Sequence, residues 1–310
     1  MEMSLVYYVL ICLIFGTTFL GIKLGVEAGG PPLLFAAIRF FGAGVLVLLY
    51  LAWKKHAFPR SGRSYWRLFR VGFLTTTIFF GVLYWAEQFI PSNLAALLNA
   101  TSPVLICLIG AMQHKRPLHL TQTVGLVLGI FGVYLIVSNQ GMGSYSAYWT
   151  AVLILIGAQV FNAFGTLESR KLFEDGVSAW LVSGFQMMFG SLGLFVASLL
   201  KGETLATIHD PWGAVGSLFF LIFIGSIVGW GLYYQLVSTI NPLLPSTWCY
   251  VAPAVAMVIG AIWLQEPITL LSMIGAVVVL AAVGISNWLD WRTLWQGRKA
   301  KKEKVGLNTY

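Results

Sequence analysis

From residue 5 onward the chain is a succession of apolar runs, divided by short stretches that hold Gly, Pro, Asn or clustered charge. Runs of roughly 20 apolar residues match the hydrocarbon thickness of a bilayer when wound as α-helix. In lipid a helix satisfies its own backbone hydrogen bonds, so this pattern leaves little choice of fold. It predicts ten helices, near residues 5–26, 33–53, 66–88, 94–112, 121–138, 149–172, 179–200, 213–237, 243–263 and 271–289. Composition agrees: 58% of residues are hydrophobic and 10% are charged, against roughly 25% charged in ordinary soluble domains. The opening Met-Glu-Met-Ser lacks the basic region of a secretory signal, so the first apolar run is expected to be retained as a helix.

The net charge of +8 points to a nucleic-acid partner only if the basic residues share a surface, and they do not. They follow the positive-inside rule instead. With the N-terminus inside, the cytoplasmic segments hold Lys54, Lys55, Arg60, Arg63, Arg67 and Arg70, then Lys115 and Arg116, then Arg170 and Lys171, and finally the 291–310 tail with Arg292, Arg298, Lys299, Lys301, Lys302 and Lys304. Lys201 is the exception on the outside, and Lys23 and Arg39 fall within spans. Both termini are therefore expected in the cytoplasm. Trp53, Trp66, Trp180, Trp288, Trp291 and Trp295 read as an inner aromatic belt, and Tyr148, Trp149, Trp212 and Trp263 as an outer one.

A constant shift of 150 residues pairs Pro103 with Pro253, Gly81 with Gly231, Tyr84 with Tyr234, Gly110 with Gly260, Pro117 with Pro267 and Gly125 with Gly275. Matched Pro and Gly in one ungapped register signal an internal repeat. Five spans per half is an odd number, so the second half enters the membrane from the opposite side. The expectation is an all-α integral membrane protein of two inverted five-helix repeats, 1–140 and 141–290, with the basic tail at 291–310.

Charges within spans need a partner, an aqueous cavity or a function, since insertion scales set their cost on the order of 2.5–3.5 kcal/mol. Arg39 either pairs structurally or contacts substrate; Lys23 snorkels to the headgroups or lines the path. Glu87, in the same helix as Tyr84 and Trp85, is either a rim carboxylate in water or a group that binds an ammonium or carries a proton, whereas Glu168 reads as paired locally with Arg170 and Lys171. Uncharged polar and aromatic residues inside apolar runs mark either helix–helix hydrogen bonds or a cavity. These are Thr17, Thr18, Asn99, Gln159, Asn162, Gln186, Gln235, Trp230, Tyr234, Trp248 and Tyr250. Pro103 and Pro253 are expected inside helices, as kinks that either act as hinges or simply shape the bundle. Cys12, Cys107 and Cys249 lie in apolar runs without CxxC spacing and read as packing residues, so no metal or cofactor is expected.

Three segments carry a family resemblance: FGTTFLGIKLGVEAGGPPLLFAAIRFFGAG (15–44), AALLNATSPVLICLIGAMQHKRPLHLTQTVGLVLGIFGV (95–133) and GAIWLQEPITLLSMIGAVVVLAAVGI (260–285). Their order and duplicated register resemble the drug/metabolite transporter superfamily, and within it the EamA-type exporters, over residues 8–287. The resemblance implies ten helices, a cavity lined mainly by helices 1, 3, 4, 6, 8 and 9, peripheral helices 5 and 10, and export of amino acids, related metabolites or amphipathic drugs. Where that family often places Glu at the turn after helix 4, this chain has Lys115 and Arg116; the acidic version stands only at Glu266.

The expected function is secondary export of small metabolites by alternating access, with the bilayer and a small solute as partners, protons as a candidate coupling ion and no nucleic acid. The aromatics would suit an amine-bearing amphipathic solute through cation–π contact. A passive facilitator or channel fits the same repeat. A membrane-embedded enzyme needs clustered catalytic side chains, yet His56, His114, His119 and His209 all fall in loops and His209-Asp210 is an isolated pair.

Overall fold

Helix boundaries follow from local chemistry, chiefly Pro, Gly and short polar side chains. The computed structural model describes residues 2–90, 92–115, 120–137, 146–239, 243–263 and 270–286, and these are helical with no strand among them. Arg116, Pro117, His119, Glu266, Pro267, Trp288, Trp291, Trp295 and the 291–310 tail lie outside the described residues.

Helix α1 (Glu2–Glu27) is followed by Gly29 at φ 88°, a conformation that glycine adopts without a Cβ clash. Pro32 opens α2 (Pro32–Trp53) in the first turn, where its missing N–H costs nothing. Ser61 caps α3 (Gly62–Gly72) by accepting from the Arg63 amide at 3.2 Å. That helix runs unbroken through a π-helical stretch, Phe73–Phe80, into α4 (Gly81–Ala86). Then come α5 (Ser92–Asn99), α6 (Ser102–His114), α7 (Leu120–Val137) and α8 (Ser146–Glu174). Ser178 caps α9 (Ala179–Lys201), which Gly202 ends at φ 69°. Asp210 caps α10 (Pro211–Phe220), which again passes through a π-helical stretch, Leu221–Val228, into α11 (Gly229–Thr239). The chain closes with α12 (Leu243–Ser246), α13 (Trp248–Trp263) and α14 (Leu270–Ser286).

Among the described residues six helices are long and apolar enough to cross a membrane: Ser4–Glu27, Pro32–Trp53, Gly62–Ala86, Tyr148–Glu174, Ala179–Lys201 and Pro211–Thr239. Shorter apolar helices occupy Ser102–Gln113, Leu120–Gly132 and Met273–Ala282. The predicted helix at 94–112 is interrupted at Ala100 and Thr101, where the Thr101 hydroxyl bonds back to the Leu98 carbonyl at 2.7 Å. Pro103 therefore stands in the first turn of α6 rather than inside a helix, which differs from expectation; a proline is tolerated there because that amide would have no intrahelical acceptor. The predicted helix at 243–263 breaks at Thr247, and Pro253 does lie inside α13.

Helix α2 packs along α9, α7 along α14 and α1 along α13. The α7–α14 approach is close enough that a Cβ on Gly132 would come within 2.9 Å of the Gly275 carbonyl. Outward faces are apolar: Val127 is 62% exposed and Val277 67%. In water such surfaces would be aggregation sites, whereas in lipid they are the natural solvent face. Trp53, Trp66, Trp149 and Trp212 are also exposed, as belt residues should be, while Tyr148 is buried.

Polar contacts tie the bundle at both ends. At one end Glu203 accepts from the Leu34 amide at 2.8 Å, and the amides of His209 and Asp210 donate to the Ala28 carbonyl. At the other, Arg67 and Arg70 of α3 face the buried Glu168 of α8 at 3.8 and 3.7 Å. Lys171 lies 3.3 Å from the same carboxylate, and Arg67 also pairs with Asp175. Arg170, the other expected partner of Glu168, pairs with Glu174 at 3.6 Å and donates to the Val237 carbonyl at 2.8 Å.

Candidate functional site

The centre of the bundle is built around one cation. Arg39, seven residues after the prolyl start of α2, is 1% exposed, and its guanidinium reaches across to the facing helices. Its Nε donates to the Ser226 hydroxyl at 2.8 Å and one terminal nitrogen donates to the Tyr84 hydroxyl at 3.0 Å. Ser226 comes from the π-helical stretch before α11 and Tyr84 from α4. The guanidinium also lies 4.7 Å from the ring centroid of Phe40 and 5.7 Å from that of Phe80. All of these partners are neutral; among the described residues no carboxylate comes within 4.0 Å of Arg39.

Arg39 faces a small cavity of about 20 Å³, room for about one water. Thr18 of α1, Asn99 of α5, Trp230 of α11 and Trp248 of α13 line it as well, so five of the predicted residues are brought together. Its remaining wall is apolar and largely aromatic, from Phe15, Phe19, Phe79 and Phe80 with Ile22 and Leu83. Phe15 ties the wall together, its ring centroid 5.2 Å from Trp230 and 4.4 Å from Trp248.

Behind this layer lies a buried amide chain. Gln159 of α8 donates to the Asn99 carbonyl oxygen at 2.9 Å, Asn99 donates to the Cys249 sulfur at 3.4 Å, and Asn162 donates to the Ser102 hydroxyl at 3.2 Å. These bonds hold the end of α5 and the start of α6 against α8, so Gln159 and Asn162 support the cavity without lining it. The family resemblance implied a lining that includes the helix containing Gln159 and not α2; in this cavity α2 contributes Arg39 and α8 contributes no lining residue.

The other predicted residues are placed elsewhere. Tyr84 is spent on Arg39, and Tyr234 sits one layer back with its ring centroid 5.8 Å from Trp230. Trp85 packs on Phe89 at 5.1 Å, and Tyr250 is buried against α7 with an unpartnered hydroxyl. Lys23 is part-buried, lies 3.7 Å from Glu27 and acts electrostatically on the buried Glu87. Gln186 accepts from Thr75 and Thr76 at 3.0 and 2.5 Å, a helix–helix bond rather than a cavity contact. Glu87, just past α4, is fully buried with both carboxylate oxygens unpartnered. Reasoning from sequence missed Ser226, although a lone Ser in the run LIFIGSIV was a signal of the same kind as Thr18. It also missed the phenylalanines, which nothing in an apolar run distinguishes from lipid-facing ones.

Among the described residues no group of three or more His, Cys, Asp or Glu is arranged to hold a metal. The profile of the EamA-like transporter family matches this chain twice, over residues 3–138 and 149–288. The chain belongs to that family. As an EamA-like transporter with six long apolar helices, it is a multi-pass protein of the bacterial inner membrane. It is 32% identical over 256 residues to the uncharacterized inner membrane transporter YedA of Escherichia coli, covering 80% of this chain and 78% of that one. The uncharacterized transporter YvbV of Bacillus subtilis is 25% identical, with 91% and 88% covered. A "Probable amino-acid metabolite efflux pump" of Escherichia coli is 26% identical, with 91% and 94% covered. A crystal structure that superposes with a TM-score of 0.75 at 16% identity, covering 94% of this EamA-like transporter and 99% of that chain, shares its fold.

Proposed function

We propose that this EamA-like transporter is a secondary carrier that exports small metabolites, amino acids or related amphipathic solutes, by alternating access. The observation that carries this reading is the cavity around Arg39, a small chamber inside the bundle lined by polar and aromatic side chains. At about 20 Å³ it is too small for a metabolite, so a solute enters only a conformation in which one end has parted. A fixed central site exposed by turns to each face is what an inverted repeat provides.

Several features support ten spans in two inverted halves with both termini in the cytoplasm. The family profile matches each half separately. Each half also has a long helix with a π-helical stretch, then a broken helix, then a shorter apolar one. The name of one relative, an amino-acid metabolite efflux pump, supports amino-acid-like cargo. Glu87, buried without a donor, is the group we assign to proton coupling.

The test is counterflow in proteoliposomes preloaded in turn with amino acids, nucleosides and cationic drugs. A carrier shows trans-stimulated uptake with at least one of them. Solute flux that ignores the opposite side belongs to a passive pore and overturns the proposal. With a carrier in hand, Glu87→Gln is expected to abolish uptake driven by a pH gradient while leaving counterflow intact.

A further inference from the structure

We infer that the cavity recognises a carboxylate, held by Arg39 and Trp230, and that an amine on the solute is dispensable; the inference rests on the carrier reading above and names its cargo class.

Arg39 carries a guanidinium, a cation that offers five N–H groups in a rigid fork. In this structure the Ser226 and Tyr84 hydroxyls take two of those donors; the buried Glu87 carboxylate acts on Arg39 through space, but among the described residues no carboxylate pairs with it within 4.0 Å. Trp230, which lines the same cavity and is 6% exposed, has an indole Nε1–H with no acceptor. Tyr84 receives the arginine bond on its oxygen, so its own hydrogen remains to be donated.

The remaining cavity-lining polar groups are already engaged. The Thr18 hydroxyl donates to the Phe15 carbonyl at 2.8 Å, and Asn99 uses its oxygen on Gln159 and its nitrogen on Cys249. What is left on the cavity wall is a guanidinium and an indole with unused N–H donors, and no carboxylate among the lining residues. A carboxylate has no donors, carries the opposite charge and matches a guanidinium fork.

An ammonium group meets the opposite situation. No acidic residue lines the cavity, and although Trp230 and Trp248 offer ring faces, a cation held on them would share the small space with the Arg39 guanidinium, which repels it. The body of the solute meets Phe15, Phe79, Trp230 and Trp248, a wall suited to an aromatic or branched aliphatic group. The cargo class is thus a monocarboxylate with an apolar body, with or without an amine.

The experiment compares phenylalanine, hydrocinnamate (the same skeleton without the amine) and phenethylamine (the same skeleton without the carboxylate) in counterflow, each also tested as a competitor. Hydrocinnamate is expected to exchange within about threefold of phenylalanine and phenethylamine not at all. Arg39→Lys, which retains the charge and loses the fork, should lower hydrocinnamate exchange about tenfold or more in protein whose melting temperature is unchanged. Trp230→Phe, which retains a ring and loses the N–H, should weaken hydrocinnamate competition about threefold or more, and it decides the matter if the Arg39 variant fails to fold. Exchange of phenethylamine, failure of hydrocinnamate to exchange, or wild-type hydrocinnamate competition in folded variants overturns the inference. Exchange of phenethylamine alone leaves the carrier reading standing, whereas absence of trans-stimulation by every solute in the wider panel removes both.

Discussion

Asn99 and Cys249 touch: the amide nitrogen of one lies 3.4 Å from the sulfur of the other, and they are 150 residues apart in sequence. That separation equals the register in which Pro103 matches Pro253 and Tyr84 matches Tyr234. Residues equivalent under a two-fold rotation meet each other only near the axis. The contact therefore places the proposed pseudo-axis beside the cavity, where α5 and the start of α13 converge.

This predicts a cross-link. With Cys12 and Cys107 replaced by alanine and a protease site inserted within 138–145, Asn99→Cys should join native Cys249 under mild oxidation or a short bis-thiosulfonate. The two fragments should then migrate together on a non-reducing gel. Fragments that separate under all conditions would mean that α5 and α13 do not meet in the membrane.

Burial should rank the ionic contacts between α3 and α8. The Glu168 side chain is 10% exposed and faces Arg67, Arg70 and Lys171, whereas Asp175 pairs with Arg67 while 51% exposed. An exposed pair contributes about 0–1 kcal/mol; Glu168 is buried while its partners Arg67, Arg70 and Lys171 keep 24%, 48% and 48% exposure, so its loss should cost more than an exposed pair but less than the about 3–5 kcal/mol of a fully buried one. Glu168→Gln is thus expected to lower the melting temperature of the purified protein by several degrees, and Asp175→Asn by less than half as much. The two variants measured side by side check this ranking; equal shifts would contradict it.

Pro103 and Pro253 should respond differently to alanine, although the proposed repeat would make them equivalent. Pro103 stands in the first turn of α6, where no intrahelical hydrogen bond is missing. Pro253 lies in the interior of α13, where a proline leaves the Cys249 carbonyl without its helical donor. If the freed carbonyl lets α13 bend during transport, Pro253→Ala slows counterflow several-fold and Pro103→Ala changes it little. Unchanged rates in both variants would remove any hinge role.

Hydropathy made the long helices legible because a bilayer asks for one property over a whole span, and Gly29, Pro32 and Gly202 marked their ends. Breaks inside spans were harder to see. Phe73–Phe80 and Leu221–Val228 have no residue that separates π from α winding, and the interruption at Ala100–Thr101 shows only as a Thr-Ser-Pro sequence that also fits an intact helix. The site was half legible. Thr18, Arg39, Asn99, Trp230 and Trp248 stood out as polar or amphipathic groups in apolar surroundings, and the fold gathers them. Gln186 gave the same signal but bonds the threonines of a neighbouring helix, because polarity reports the need for a partner without saying which face of the helix supplies it.

In the proposed carrier one chamber is reached from each face in turn. The most direct measurement places a single cysteine at Thr18, on the cavity wall, in an otherwise cysteine-free protein and applies a membrane-impermeant maleimide to inside-out and right-side-out vesicles. The account predicts labelling from both sides, with conditions that favour one face protecting the other, and protection from both by a transported solute. Labelling confined to one face, or simultaneous labelling from both without protection, would contradict it.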